Sequence, residues 1–222
     1  MFGNLYIVGT PIGNLEDITL RAIKILSEAD IVLAEDTRVT SKLSSKYKLP
    51  ETIISYHQHS GDEKKFEILK YLLEGKNIAL VTDAGTPGIS DPGNELIDFI
   101  LDKEPKIKII PIPGASALTT ALSVSGFRTD KFVFIGFLPK KKRNKLLNWL
   151  KEGRLTFAFY ESPKRIIKTL DILEEYFGEE TRVLVARELT KIYETLYRGS
   201  IKDVKMEISG NIKGEIVVVV EI

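Results

Sequence analysis

The sequence predicts an α/β fold, and three observations carry that expectation. Short β-branched runs recur along the chain, stretches with helical spacing lie between most of them, and the runs are apolar on both sides. Alternating strands and helices call for crossover connections, and doubly apolar strands call for sheets covered on both faces. A length of 222 residues accommodates two such halves.

In chain order, the strand runs fall at 5–8, 31–34, 78–82, 107–112, 132–135, 157–160, 182–186 and 216–220. Helical spacing covers 19–27, 64–73, 94–101, 117–124, 145–150 and 164–176. The helix at 64–73 has Gly61 and Asp62 as cap candidates, and the one at 164–176 has Pro163 near its first turn, where a missing N–H costs nothing. The segment Pro111-Ile112-Pro113-Gly114 breaks regular structure on both sides and sets a domain boundary, 1–112 against 113–222. Beyond it, 192–198 and 215–222 read as strands with a brief helical stretch between them, suggesting an antiparallel edge to the C-terminal domain.

Composition removes several function classes. Apolar residues at 43% and charged residues at 28% are those of a folded chain, not a disordered one. Lys+Arg 32 against Asp+Glu 31 gives a net charge of +1, so no global field draws the protein to nucleic acid or to an anionic membrane. Any such partner must be met by a local patch. With Cys 0 there is no disulfide, thiolate nucleophile or cysteine zinc site, and a reducing cytoplasm fits. His57 and His59 alone supply no metal set, and no metal is expected. The apolar runs are far shorter than the ~20 residues of a spanning helix, and the N-terminus starts on a strand without a leader. The expectation is a soluble, untargeted protein.

The chemistry-bearing residues cluster after strands. The first loop, Gly9-Thr10-Pro11-Ile12-Gly13, leaves backbone N–H groups open to a ligand, or is a tight turn capped by Asp17 or Thr19. Glu35-Asp36-Thr37-Arg38 is either a ligand-orienting acidic loop or a helix N-terminus with acidic residues complementing the dipole. From Thr82 to Gly93, 12 residues hold three glycines and two prolines, which is a long shaped loop and not a regular element. Gly114-Ala115-Ser116-Ala117 turns into a helix whose first residues are small, offering N–H groups to a ligand or a Ser116 cap. Finally, Lys140, Lys141, Lys142, Arg143 and Lys145 place five cations among six residues, a solvated loop or a footprint for a polyanion.

Taken in order, LYIVGTPIGNLEDIT, AEDTRVT, LVTDAGTPGISDPG, PIPGASA, FIGFLPKK, FYESPKR, VARELTK and GEIVVVVE resemble the ribosomal RNA small subunit methyltransferase I family of the tetrapyrrole methylase superfamily. The resemblance spans nearly the whole chain. It implies a class III methyltransferase architecture, two α/β domains with a cofactor cleft between them, and S-adenosylmethionine as methyl donor. The implied acceptor is a cytidine ribose 2′-hydroxyl in small-subunit ribosomal RNA, free or in the assembled subunit. A homodimer is implied as well, and composition adds the expectation of a cytoplasmic protein without membrane association.

By position, the resemblance assigns Pro11, Ile12 and Gly13 to the methyl-transfer loop, and Asp83, Gly85, Thr86 and Ile89 to the cofactor loop, where relatives carry Gly-Asp-Pro at Gly85-Thr86-Pro87. Ser116, Ala117, Tyr160, Ala186 and Gly214 are further walls of that site. Asp36, Glu188 and Lys191 are candidates for the base or polarising cation that assists the hydroxyl, or else structural ion pairs with Arg38 or Arg187. Arg38, Lys140, Lys141, Lys142 and Arg143 are the candidate RNA contacts. Thr82 departs from the serine expected before the aspartate. Relatives frequently continue past the last strand into a helical extension; if that extension helps dock the subunit, RNA recognition here is weaker or differently built. The competing readings are methylation of a tetrapyrrole or other small acceptor, and a catalytically silent RNA-binding protein.

Overall fold

The computed structural model describes residues 1–49, 52–208 and 212–222, and separates into two units, Met1–Ser116 and Ala117–Ile222. In the first unit the elements are β1 (Leu5–Val8), α1 (Leu20–Glu28), β2 (Ile31–Ala34), α2 (Thr37–Tyr47), β3 (Ile53–Ser55), α3 (Asp62–Leu73), β4 (Ile78–Leu80), α4 (Asn94–Lys103) and β5 (Ile109–Ile112). Their strands form one parallel sheet in the order β3-β2-β4-β1-β5. Every residue of β2 and β4 is buried, as both-sided apolar runs require.

The order of the strands dictates where the helices go. The chain moves from β1 to β2 and on to β3 in one direction across the sheet, then from β3 to β4 and β5 in the other. Right-handed crossovers put connections of opposite direction on opposite faces. Accordingly, Ala22 and Leu26 of α1 and Leu43 of α2 pack with Val8, Val32, Ala34 and Ala79. Ile68 and Leu72 of α3 and Leu96 and Ile100 of α4 pack on the other face with Leu5, Leu33, Ile78 and Leu80.

The second unit contains α5 (Ala117–Ser125), β6 (Phe132–Phe137), α6 (Arg143–Gly153), β7 (Thr156–Glu161), α7 (Ile166–Phe177), β8 (Arg182–Arg187), β9 (Thr195–Ser200), α8 (Ile201–Glu207) and β10 (Ile216–Glu221). Its sheet runs β6-β7-β10-β8-β9, parallel only between β6 and β7. One face carries α6, α7 and α8 over Phe157, Phe159, Val183, Val185 and Val218. On the other face α5 lies against β7, β8 and β10.

Three elements differ from the sequence-based expectation. Helix α2 is polar overall, so its apolar stripe of Val39, Leu43 and Tyr47 is easily overlooked; its eleven residues bury only Thr40 and Leu43, and its serines bond back to helix carbonyls, Ser41 to Thr37 at 2.7 Å and Ser45 to Ser41 at 2.8 Å. Strand β3 is three residues long, too short for a periodic signal. Strand β10 sits in the middle of its sheet, antiparallel to both neighbours, and the edge position belongs to β9. The cation run is also divided, with Lys140–142 preceding α6 and Arg143 opening it. No helix among the described residues is long and apolar enough to cross a membrane.

Burial at the sheet centre sets the stability of the first unit. Leu80→Ala, at a fully buried residue of β4, is expected to lower unfolding free energy by about 2–5 kcal/mol. Leu20→Ala, at a residue 86% exposed, is expected to change it by less than about 0.5 kcal/mol. Denaturant titration of both variants checks this, and comparable losses would contradict the assigned burial.

Candidate active site

Strands β1 and β4 are adjacent, yet their outgoing connections leave for opposite faces of the sheet, which opens a crevice at their carboxyl ends where ligands of open α/β sheets bind. The two outgoing loops meet there. Thr10 N donates to Gly85 O at 2.8 Å and Gly85 N donates to Thr10 O at 3.1 Å. The Thr10 hydroxyl reaches Thr82 O at 3.3 Å and Gly85 O at 3.4 Å. The loop after β5 closes against the loop after β1: a Cβ at Gly114 would lie 2.5 Å from Gly9 O, and one at Gly9 would lie 2.8 Å from the Gly114 backbone. Only glycine permits that approach at either position.

The expected residues of the first unit gather around this junction. Pro11 and Ile12 are buried and Gly13 is exposed. Gly85 has φ +83°, and a Cβ there would stand 3.5 Å from Ile12 Cγ2. Thr86 Oγ1 donates to Ala115 O at 3.3 Å, joining the 82–93 loop to the segment before Ser116. Ile89 is 46% exposed, an apolar side chain at the open edge of the loop. The loop keeps its shape through its own bonds: Gly88 N to Pro92 O at 3.2 Å, and Asn94 Nδ2 to Gly88 O at 2.8 Å. Thr82 Oγ1 is buried and has no hydrogen-bond partner, a donor and acceptor left over at the end of β4.

Three carboxylates stand at the ends of β2 and β4. Asp83 Oδ1 accepts from Asp36 N at 2.9 Å, tying the two loops together. Asp36 is the N-cap of α2, accepting from Arg38 N at 2.9 Å, and forms a 2.6 Å ion pair with Arg38 Nη2. The Arg38 bonds hold the Asp36 carboxyl down at about 2. Glu35 is pushed the other way, above its ordinary value, first by burial and then by the negative charge of Asp83. In the sequence Glu35 shows only as part of an acidic loop. What distinguishes it from Asp36 is burial first, with the charge of Asp83 beside it, and the lack of an arginine partner such as Arg38; local sequence carries no sign of the burial.

Within the second unit, Ala186 lies on β8 opposite Val217 of β10, and Tyr160 lies near the end of β7. Glu188 lies over Gly214, where a Cβ would come within 2.3 Å of the Glu188 side chain. Burial works to raise the Glu188 carboxyl, but the Glu215 backbone N–H at 2.9 Å and the Lys191 ammonium at 3.0 Å outweigh it and hold the group below its ordinary value. Burial likewise disfavours charge on Lys191, yet Glu215 at 2.9 Å and Glu188 keep its ammonium above the usual range. Lys191 is therefore a durable cation. Lys140, Lys141 and Lys142 are exposed and, among the described residues, enter no ion pair. No cluster of three or more His, Cys, Asp or Glu that could hold a metal occurs among the described residues.

The chain matches the family model of tetrapyrrole (corrin/porphyrin) methylases over residues 4–205. It is 47% identical over 222 residues, 99% of this chain and 76% of the relative, to a protein of Halalkalibacterium halodurans named ribosomal RNA small subunit methyltransferase I. A protein of the same name from Thermotoga maritima is 46% identical over 202 residues, 90% of each chain. Among solved structures, the methyltransferase CobJ superposes with a TM-score of 0.72 over 99% of this chain and 94% of its own, at 19% identity, a likeness of fold.

The Asp36 cap generates a pH test. Its carboxyl lies at about 2 in the folded chain against an ordinary 3.8. The stabilisation is thus present above the unfolded value and lost as pH falls through about 2. Asp36→Asn keeps a capping side chain without the charge. Parent and variant are expected to differ in thermal midpoint above pH 3.8 and to converge near pH 2. A pH-independent difference would show that the Arg38 pair does not stabilise the fold.

Proposed function

The chain belongs to the tetrapyrrole (corrin/porphyrin) methylase family, and we propose that it methylates small-subunit ribosomal RNA at a cytidine ribose 2′-hydroxyl, with S-adenosylmethionine as donor. The observation that carries this reading is near-full-length identity to ribosomal RNA small subunit methyltransferases. It is an S-adenosylmethionine-dependent methyltransferase.

The residues at the β1–β4 crevice suit that cofactor. Gly85 leaves open the space a side chain would fill beside Ile12, and the buried Thr82 hydroxyl lacks a partner. Ile12 and Ile89 offer apolar contact, and Asp83, with Oδ1 committed to Asp36 N, keeps its second oxygen for hydroxyl or ammonium donors. When bound, S-adenosylmethionine supplies an electrophilic methyl group on a sulfonium. The chain's contribution is to position it and the acceptor. A ribose hydroxyl needs a base or a polarising cation within hydrogen-bond reach. Asp36 and Glu188 are weakened as bases by their partners, whereas burial and the charge of Asp83 make Glu35 the strongest base of the three. Lys191 suits polarisation of the hydroxyl. Arg38, Lys140, Lys141, Lys142 and Arg143 are assigned to the RNA backbone. The reading also includes a homodimer acting in the cytoplasm, on free RNA or the assembled subunit.

Incubation with labelled S-adenosylmethionine and small ribosomal subunits, followed by mass spectrometry of nucleosides, is expected to yield 2′-O-methylcytidine; methylation of a tetrapyrrole instead would overturn the proposal. Replacing Lys140, Lys141, Lys142 and Arg143 with alanine is expected to weaken RNA binding and flatten its salt dependence by about 0.7–0.9 in log–log slope for each phosphate the variant no longer neutralises. An unchanged slope would place the RNA track elsewhere. Sedimentation at twice the 25.0 kDa chain mass is expected at micromolar concentration, and sedimentation at a single chain mass would remove the homodimer.

A further inference from the structure

Strand β6 changes the side on which it presents its side chains. Val133 and Ile135 pack against the core beneath α6 and α7, so regular alternation would turn Phe137 into the same core and Phe132 and Phe134 away from it. The register with β7 shifts instead: Phe134 pairs with Ala158 and Phe137 with Tyr160, three residues of β6 against two of β7. Gly136, at φ +65°, absorbs the extra residue. The core position passes to Leu138, 2% exposed, and Phe137 is turned out to 56% exposure.

The ring does not emerge at random. Tyr160 stands edge-on to both phenylalanines, with centroids 5.1 Å from Phe134 and 5.8 Å from Phe137. The loop that follows is fixed: Arg165 Nη2 donates to Leu138 O at 2.7 Å, while buried Glu161 holds Arg165 at 3.4 Å and accepts from Thr169 at 2.7 Å. The next side chains after Pro139 are Lys140, Lys141 and Lys142, cations without an ion-pair partner among the described residues. An edge strand has thus been bulged to expose a flat ring, braced by two others, three residues ahead of a run of cations that attract phosphate. Aromatic faces flanked by such cations bind unpaired nucleotides, because every base has a face to stack and every nucleotide a phosphate to pair.

Resting on the proposed RNA substrate, we infer that Phe137, backed by Phe134 and Tyr160, stacks an unpaired base of that RNA while Lys140, Lys141 and Lys142 hold the adjoining phosphates. The surface thereby selects single-stranded over duplex RNA, whose bases are already stacked.

The test uses the full chain and two labelled ten-nucleotide probes, a cytidine-containing single strand and a duplex, read by fluorescence anisotropy. Phe137→Ala is expected to weaken single-strand binding about tenfold, leave the duplex nearly unchanged and keep the parent's salt slope. Phe137→Trp is expected to restore binding, and an unchanged far-UV circular dichroism spectrum and denaturant midpoint serve as the check of folding. Equal single-strand affinity of parent and Phe137→Ala overturns the inference, as does equal loss for strand and duplex. So does a change of oligomeric state in Phe137→Ala, which would make the face a contact between copies of the chain. Methylation assays separate the two readings. A parent that methylates subunits, with Phe137→Ala showing the same KM, leaves the function standing and removes the platform. A parent that methylates nothing, yet binds single strands through Phe137, removes the function and leaves the platform.

Discussion

Two neighbouring parallel strands, β1 and β4, send the chain to opposite faces of one sheet, and the first unit is organised around that divergence. Right-handed crossovers leave no alternative once the strand order is set, because a connection running one way across the sheet cannot share a face with one running the other way. The carboxyl ends of the pair therefore stay uncovered by their own helices. The chain closes this opening mainly with backbone, through the paired Thr10 and Gly85 bonds and the contact of Gly9 with Gly114, with the Thr10 and Thr86 hydroxyls adding bonds to loop carbonyls. A junction built around glycines leaves space where side chains would otherwise stand, so the geometric solution to packing three loops together is also what makes the place suitable for a ligand.

Charge at the same strand ends is divided by environment. Glu35 and Asp36 are consecutive, yet one is held above its ordinary value and the other at about 2. Asp36 faces the start of α2, where the unpaired N–H groups and Arg38 favour its anion. Glu35 is more buried and faces Asp83, so its anion is disfavoured twice. A polypeptide with no cysteine and two histidines thus obtains two carboxyl groups of different proton affinity from position alone.

What was legible in the sequence follows from which forces are local. The ranges of β1 and β2 could be read because four consecutive apolar residues, packed on both faces of the sheet, leave an unmistakable run. Helix α2 is easily overlooked, because it is polar overall, is anchored at one end by the Asp36 cap and buries only two side chains. The loops at 9–13, 82–93 and 113–116 could be recognised as shaped by glycine and proline, but not that Thr10 pairs with Gly85, 75 residues away. Phe137 is the sharpest case. It lies beyond the strand run at 132–135 that the sequence shows, and its exposure comes from the register shift against β7, a partner 20 or more residues away.

The near-neutral net charge of +1 acquires a physical sense from how the charges are distributed. On the proposed activity, the protein must accommodate a sulfonium cation and attract a polyanion, and one uniform field would favour one ligand at the expense of the other. The carboxylates Glu35, Asp36 and Asp83 belong to the first unit, at the ends of β2 and β4, whereas lysines 140–142 belong to the second, on an edge-strand loop. Each set acts over about 8–10 Å before salt screens it, so its influence is local to the loop that carries it. The net charge sums 32 basic and 31 acidic side chains over the whole chain, so a search for RNA-binding character in the total would miss both local sets.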